Sequence, residues 1–195
     1  MRRLTTIAPI CLFVTLAAGC ASAPARFYRL SATATPAPTT STFSVIVGPV
    51  SVPAVVDRPQ IVVSTGANQA ALNESNRWAS PLPDNLSRVI VENLVALLGT
   101  PSVVLFQQTL NTDADYRVTV EVQRFDSTLG QSAILDAVWT VRRMKDDKTE
   151  TGRTTAREAA PEKGYDALAA AHSRAVGRLS QDIATAVFVL DRPGR

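Results

Sequence analysis

The chain has 195 residues, 46% of them hydrophobic and 19% charged, a make-up that suits a folded domain and excludes an intrinsically disordered one. Its length fits a single domain. The net charge of +3 falls to +1 when Arg2 and Arg3 of the expected leader are set aside, leaving 18 Lys and Arg against 17 Asp and Glu, so a basic nucleic-acid footprint is not supported.

Met1-Arg2-Arg3 is a short cationic start. Leu4 through Ala18 form an apolar run, followed by Ala17-Ala18-Gly19-Cys20 with its small residues before the cysteine. The run is too short for a comfortable transmembrane helix, and no other apolar run approaches ~20 residues. The layout is that of a secretory signal peptide. The cysteine directly after Gly19 makes it resemble a bacterial lipoprotein signal. That resemblance implies cleavage before Cys20, diacylation of its thiol with palmitate-type chains, and acylation of the new amino group. The alternative is an ordinary signal peptide with an unmodified cysteine. Cys11 leaves with the leader, so the remaining 176 of 195 residues hold one cysteine and no intramolecular disulfide can form. Ala21 follows Cys20 where an inner-membrane lipoprotein would carry Asp, which implies sorting to the outer membrane. The expected division is residues 1–19 as leader, 20–25 as lipidated tether and 26–195 as the domain.

Phe27-Tyr28-Arg29-Leu30 is either a short strand or more tether. Residues 31–42 carry no charge and no large apolar side chain, and contain two prolines. They predict an extended loop or linker. Phe43 to Val47 is β-branched and apolar and predicts a buried strand. Val52 to Val56 continues extended. Asp57-Arg58-Pro59 predicts a turn, because Pro59 biases Arg58 away from helix. Gln60 to Ser64 predicts another strand, closed by a turn at Gly66-Ala67-Asn68.

A helix follows, with Leu86, Val89, Ile90, Asn93, Leu94, Leu97 and Leu98 on one face. Ser80-Pro81 or Pro83-Asp84 starts it, and Gly99 with Pro101 stops it. Val103 to Phe106 predicts a short buried strand. Tyr116, Val118, Val120 and Val122 alternate with polar residues, and Leu135, Ala137, Trp139 and Val141 alternate with Asp136, Val138, Thr140 and Arg142, which predicts a long hairpin with one apolar face. Residues 146–154 predict a turn, and Thr154 to Glu158 a further strand. A closing helix from Tyr165 to Leu190 carries the stripe Leu168, His172, Val176, Leu179, Ile183, Val187 and Leu190. Sheet and helices together predict a layered α/β domain.

The nine glycines contain no GxSxG, GxGxxG or Walker A pattern. One histidine and one acylated cysteine cannot assemble a His/Cys metal site, so neither metal nor cofactor is expected. A Ser-His-Asp arrangement would have to use His172, which lies on the apolar stripe. Asp113/Asp115 and Asp146/Asp147 lie in turn-like segments, where acids are solvated. No enzyme signal stands out. Two constellations remain as candidate partner contacts: Asp57, Arg58, Pro59 and Gln60, and Arg77 with Trp78. Arg and aromatic side chains dominate interface hot spots. The plainer reading puts Trp78 in the core and Arg58 in an ion pair.

Several segments, taken together, resemble a known family. They are FYRL (27–30), VGPVSVPAVVDRPQIVV (47–63), NRWASPLPDNLSRVIVENLVALLGT (76–100), YRVTVEVQRFD (116–126) and LDAVWTV (135–141). They are similar to the auxiliary lipoproteins of ABC-type, MCE-linked transport systems, the family of paraquat-inducible protein C. Ser80 stands where the family pattern has an acid, and Val55-Val56 where an aromatic is common. The resemblance implies a single three-layer α/β/α domain with a mixed sheet, similar to anticodon-binding-like folds, and no catalysis. It implies an outer-membrane lipoprotein contributing to envelope integrity. Its partners would be an MCE-domain protein anchored in the inner membrane and outer-membrane lipids reached through the Cys20 acyl chains, and the cargo would be phospholipid. Copies of the chain are a further candidate partner. Competing readings are a structural envelope lipoprotein without a transport role and a periplasmic hydrolase using His172. If the first strand begins at Phe27, the five residues Ala21 to Ala25 reach at most ~18 Å, which holds the domain close to the membrane.

Overall fold

A computed structural model describes residues 24–38, 40–106 and 113–192. Cys20 and Ala21 lie outside the described residues. In chain order the elements are β1 (Arg26–Tyr28), β2 (Val45–Ser51), β3 (Gln60–Gly66), β4 (Gln69–Trp78), α1 (Leu82–Leu98), β5 (Val103–Leu105), β6 (Tyr116–Thr128), β7 (Ser132–Arg143), β8 (Thr149–Ala159) and α2 (Tyr165–Asp191). A five-stranded sheet runs β5-β2-β6-β7-β8, and a three-stranded sheet runs β1-β4-β3. The larger sheet is mixed: β2 is parallel to both β5 and β6, and β6, β7 and β8 form an antiparallel meander.

The period-two pattern of β6 and β7 fixes their register. Val118 faces Val141, Val120 faces Trp139 and Val122 faces Ala137, which sets these side chains on one buried face and leaves Ile134 and Val138 on the other. Val45 and Val47 of β2 align with Tyr116 and Val118 and extend the buried face. Both helices cover it: α1 packs on β2 and β5, α2 on β7 and β8, and the helices touch each other. The α/β class and the mixed sheet therefore match the expectation. The two helices lie together against the five-stranded sheet, and the three-stranded sheet meets it through β3 and β6.

Proline and glycine mark both ends of α1, and Gly164 marks the start of α2. Pro81 is the N-cap and Pro83 lies in the first turn of α1, where a missing N–H costs nothing. Gly99 ends it with φ of 63°, a left-handed conformation that favours glycine. In α2 all seven residues of the expected stripe are buried. Trp139 Nε1 donates to Thr154 Oγ1 at 3.0 Å, and that hydroxyl donates to Asp182, so one polar chain ties α2 to β7 and β8. At the far end of α2 the Tyr116 hydroxyl donates to Asp191 at 2.8 Å. Burial first, and the Asp191 carboxylate second, push the Tyr116 phenol up to about 12. Arg143 donates to the Leu190 carbonyl and pairs with Asp146 at 2.6 Å, capping the last turn of the helix with a cation.

Gly152 of β8 lies opposite Trp139, and a Cβ there would sit 2.2 Å from the indole ring. The ring is fixed by its bond to Thr154, so it cannot swing aside. Gly152→Val is expected to destabilise the fold by about 2–3 kcal/mol through overpacking. Urea unfolding checks this, and an unchanged midpoint would contradict it.

Four segments differ from their expected form. The turn before β8 spans only Met144 to Lys148, with Asp147 at a positive φ of 58°, and β8 begins at Thr149. The expected strand at Thr154 to Glu158 lies within it; charged and polar residues hid only its first half, because β8 is an edge that buries only Thr154, Ala156 and Glu158. Strand β4 was not expected: its residues 69–74 are exposed, and pairing with β3 rather than apolar patterning holds them extended. Strand β5 is an edge with Val104 41% exposed, not a buried strand. Val52 to Val56 turns instead of continuing extended, with the Val56 N–H donating to Pro53 O at 3.0 Å.

The segment after β1 is extended, as expected, but it is not a free linker. Leu30 N–H donates to Asn85 Oδ1 and Ser31 N–H to Ser173 Oγ, at 3.2 and 3.1 Å. Thr33 and Ala34 N–H both donate to Asn93 Oδ1, at 2.9 and 3.0 Å. Ala37 N–H reaches Ala96 O at 2.8 Å and Ser41 N–H reaches Gly99 O at 3.2 Å. The segment thus lies across α1 and α2, and the absent side chain of Gly177 lets Thr33 come close. Asn93, on an otherwise apolar stripe, is a socket for backbone N–H groups that a strand would otherwise satisfy.

Candidate partner-binding site

The two constellations singled out in the sequence come together in space. β3 and β4 pair so that Gln60 faces Arg77, and Trp78 N–H donates to the Pro59 carbonyl at 2.7 Å. On the other edge of β4, β1 places Phe27 beside Arg77 and Tyr28 beside Trp78. Ala79 N–H donates to Tyr28 O at 2.8 Å, which turns the chain toward α1. Asp57, Arg58, Pro59, Trp78, Ala79, Ser80 and Pro81 line a cleft of about 360 Å³.

The residues contribute differently. Asp57 and Pro59 are exposed on the rim, and Arg58 is half-buried. Arg58 Nε is buried and has no hydrogen-bond partner, so the expected ion pair with an acid is not formed by the described residues. Arg77 binds Glu74 through Nη2 at 3.0 Å and through Nε to the Glu74 carbonyl at 2.7 Å, and Gln60 Nε2 donates to the same carboxylate at 2.9 Å. Trp78 is only 5% exposed. Its ring meets Phe125 edge-on, with centroids 6.2 Å apart. Trp78 is therefore a core residue that forms the cleft floor, as the plainer reading of the sequence held.

Behind that floor, Phe125 stacks on His172 with ring centroids 3.7 Å apart. His172 is wholly buried, and its Nε2 lies 2.9 Å from Ser127 Oγ. Its Nδ1 has no hydrogen-bond partner. Burial alone pushes the imidazole down to about 3, so it is neutral at pH 7. A serine and a histidine in contact suggest a nucleophile and its base. This pair lacks a carboxylate on Nδ1, and neither residue lines a described cavity. Among the described residues, no group of three His, Cys, Asp or Glu side chains converges as a metal site. No described helix is long and apolar enough to cross a membrane.

Sequence reading missed a second groove of about 570 Å³ next to the cleft. Val47 to Val50, Leu105 and Phe106 line it from the C-terminal ends of the parallel strands, and Ser80, Pro83 and Arg88 line it from the start of α1. The Gly48-Pro49 pair is the only local mark of it in the sequence. Phe106 is 40% exposed there, under the Arg117 guanidinium at 4.6 Å from its ring. The groove needs the β2–β5 crossover to exist, which no local pattern specifies.

The fold and site thus define a small α/β module whose conspicuous feature is an open cleft on a packed core. The family model for the ABC-type transport auxiliary lipoprotein component matches residues 28–184, and the chain belongs to that family. It is accordingly an auxiliary lipoprotein component of a transport system. The chain is similar to the crystal structure of an uncharacterized protein, with 21% identity and a TM-score of 0.69 over 85% of this chain and 99% of that one. It is similar also to a Xanthomonas campestris protein of the DUF330 family, at 19% identity and a TM-score of 0.70 over 85% of this chain and 97% of that one. Both likenesses concern the fold. No curated protein shows a significant match.

Proposed function

We propose that the chain is a non-catalytic docking subunit, lipid-anchored through Cys20 on the periplasmic face of the outer membrane, in an MCE-type phospholipid transport system. The observation that carries this reading is the convergence of the VPAVVDRPQ and RWASPLP stretches on one accessible cleft, with Asp57, Arg58 and Pro59 at its rim. Family membership supports a transporter partner. The burial of His172 and Ser127 supports a non-catalytic role, since a substrate has no described path to either. The MCE-domain protein meets the cleft rim, where a free guanidinium edge and a neighbouring carboxylate offer both signs of charge.

The test is co-purification with the MCE-domain protein. Asp57→Lys combined with Arg58→Glu is expected to abolish it while leaving the melting point within a few degrees, because both changes lie at an exposed or half-exposed rim. Retained co-purification would remove the cleft from the interface. A separate prediction concerns the anchor. Fatty-acid labelling is expected to mark the wild type and not Cys20→Ala, and Ala21→Asp is expected to shift the protein toward the inner membrane. Equal labelling of wild type and Cys20→Ala would overturn the lipidation of Cys20.

A further inference from the structure

The three-stranded sheet has two unlike faces. One carries Ile61, Val63, Asn76 and Trp78 into the body of the domain, all buried. The other carries Phe27, Arg77 and Gln60 in one row across β1, β4 and β3, with Val62 facing Leu72 in a second row. No described element covers this outer face. Phe27 is 64% exposed and Leu72 47% exposed, and Val62 lies half-buried between the strands. Leaving two large apolar side chains on one uncovered face costs solubility and stability unless something covers them.

Arg29 follows Phe27 on the alternate position, is exposed, and forms no ion pair among the described residues, whereas Arg26 is in register with Asn76 and belongs to the other side of β1. Glu74 is the acid on this face, and Arg77 and Gln60 already engage it. The uncompensated charge is therefore cationic. Aromatic and aliphatic side chains set among arginines suit an anionic lipid surface, where apolar groups enter the acyl boundary and guanidinium groups stay at the headgroups.

The chain outside the structure favours that surface over any other. Only Ala21 to Ala25 separate Cys20 from β1, a reach of at most ~18 Å. Leu72 lies on β4, the strand next to β1, five residues along it from Arg77, the residue beside Phe27, and so at most roughly 17 Å away in the direction from which the tether enters. We infer that the outer face of the β1-β4-β3 sheet seats on the membrane surface, with Phe27 and Leu72 in the acyl boundary and Arg29 on anionic headgroups. This rests on Cys20 being the lipid anchor. It sets the orientation of the domain: the cleft at the β3–β4 end lies beside the bilayer, where a partner delivering lipid would arrive.

The test uses the full, lipidated chain on phosphatidylethanolamine–phosphatidylglycerol vesicles doped with nitroxide-labelled lipid. Cys20 is acylated and Cys11 is removed in this reading, so an introduced cysteine is the only free thiol. A fluorophore attached through Leu72→Cys is expected to be quenched several-fold more than one attached through Glu150→Cys on the distant edge strand β8. Arg29→Gln is expected to reduce that quenching, since the side chain is exposed and makes no bond that the fold needs. Equal quenching at positions 72 and 150, in a chain that sediments with the vesicles, overturns the seating alone. A chain that does not sediment overturns the Cys20 anchor and the seating with it. Protection of position 72 that appears only when a transporter protein or a second copy is added assigns the face to protein and overturns the inference.

Discussion

Trp78→Ala is expected to lower the unfolding free energy by about 3–5 kcal/mol, which for a domain of this size is a drop of roughly 10 °C in melting point. The ring is almost wholly buried and meets Phe125 edge-on. Phe125 in turn stacks on His172, so the indole is the outermost of three rings that fill the space between the small sheet and α2. Truncation leaves a cavity beneath the cleft and removes the side on which Phe125 rests. Arg77→Ala, one residue away, is expected to cost less than ~1 kcal/mol, because its ion pair with Glu74 is exposed. Thermal melting of the two variants measures the contrast. A Trp78→Ala protein that melts with the wild type would mean that the indole does not support the core. If it also lost its partner, the cleft floor would be part of the interface.

What could be read from the sequence follows from how local each signal is. The long hairpin was legible because Tyr116, Val118, Val120 and Val122, and Leu135, Ala137, Trp139 and Val141, recur at every second position, and the register keeps them on one buried face. Both helices were legible because their apolar stripes are long, and the first is bounded by proline and glycine. Strand β4 was not, because Gln69 to Ser75 has neither β-branched residues nor an apolar period; a partner strand holds it, and partners are not local information. The same applies to the segment after β1. Its composition reads as linker, yet Asn85, Asn93 and Ser173 from two different helices satisfy its N–H groups. Asn93 was noticed only as a member of a helical stripe. The candidate site was half legible. The motifs at 57–60 and 77–78 are contiguous strings, whereas their meeting depends on the β3–β4 register and the neighbouring groove depends on a parallel crossover.

The second large effect is on acid stability, and it isolates His172. The imidazole is buried against Phe125 and Ser127, and burial holds its pKa at about 3 in the folded protein against 6.5 in an unfolded chain. Between those values the unfolded state takes up a proton that the folded state refuses. Stability therefore rises with pH across this window: the contribution is complete above pH 6.5 and is lost progressively as pH falls toward 3. From pH ~6.5 to ~4.5 the loss amounts to about 2 kcal/mol. The carboxylates of Asp136 and Asp146 are held below their ordinary range, chiefly by hydrogen bonds from Arg153 and Arg143, so their contributions fade only in more acid solution. His172→Leu removes the titrating group and keeps an apolar side chain of similar bulk. It leaves Ser127 Oγ buried without its partner, so the variant is expected to be less stable at neutral pH by about 1–3 kcal/mol. Its stability is nevertheless expected to change little between pH ~6.5 and ~4.5, while the wild type declines, so the two curves converge. Urea unfolding of both proteins across that range measures the difference in slope. Parallel curves would mean that His172 takes up its proton in the folded state, which requires water or a carboxylate to reach Nδ1.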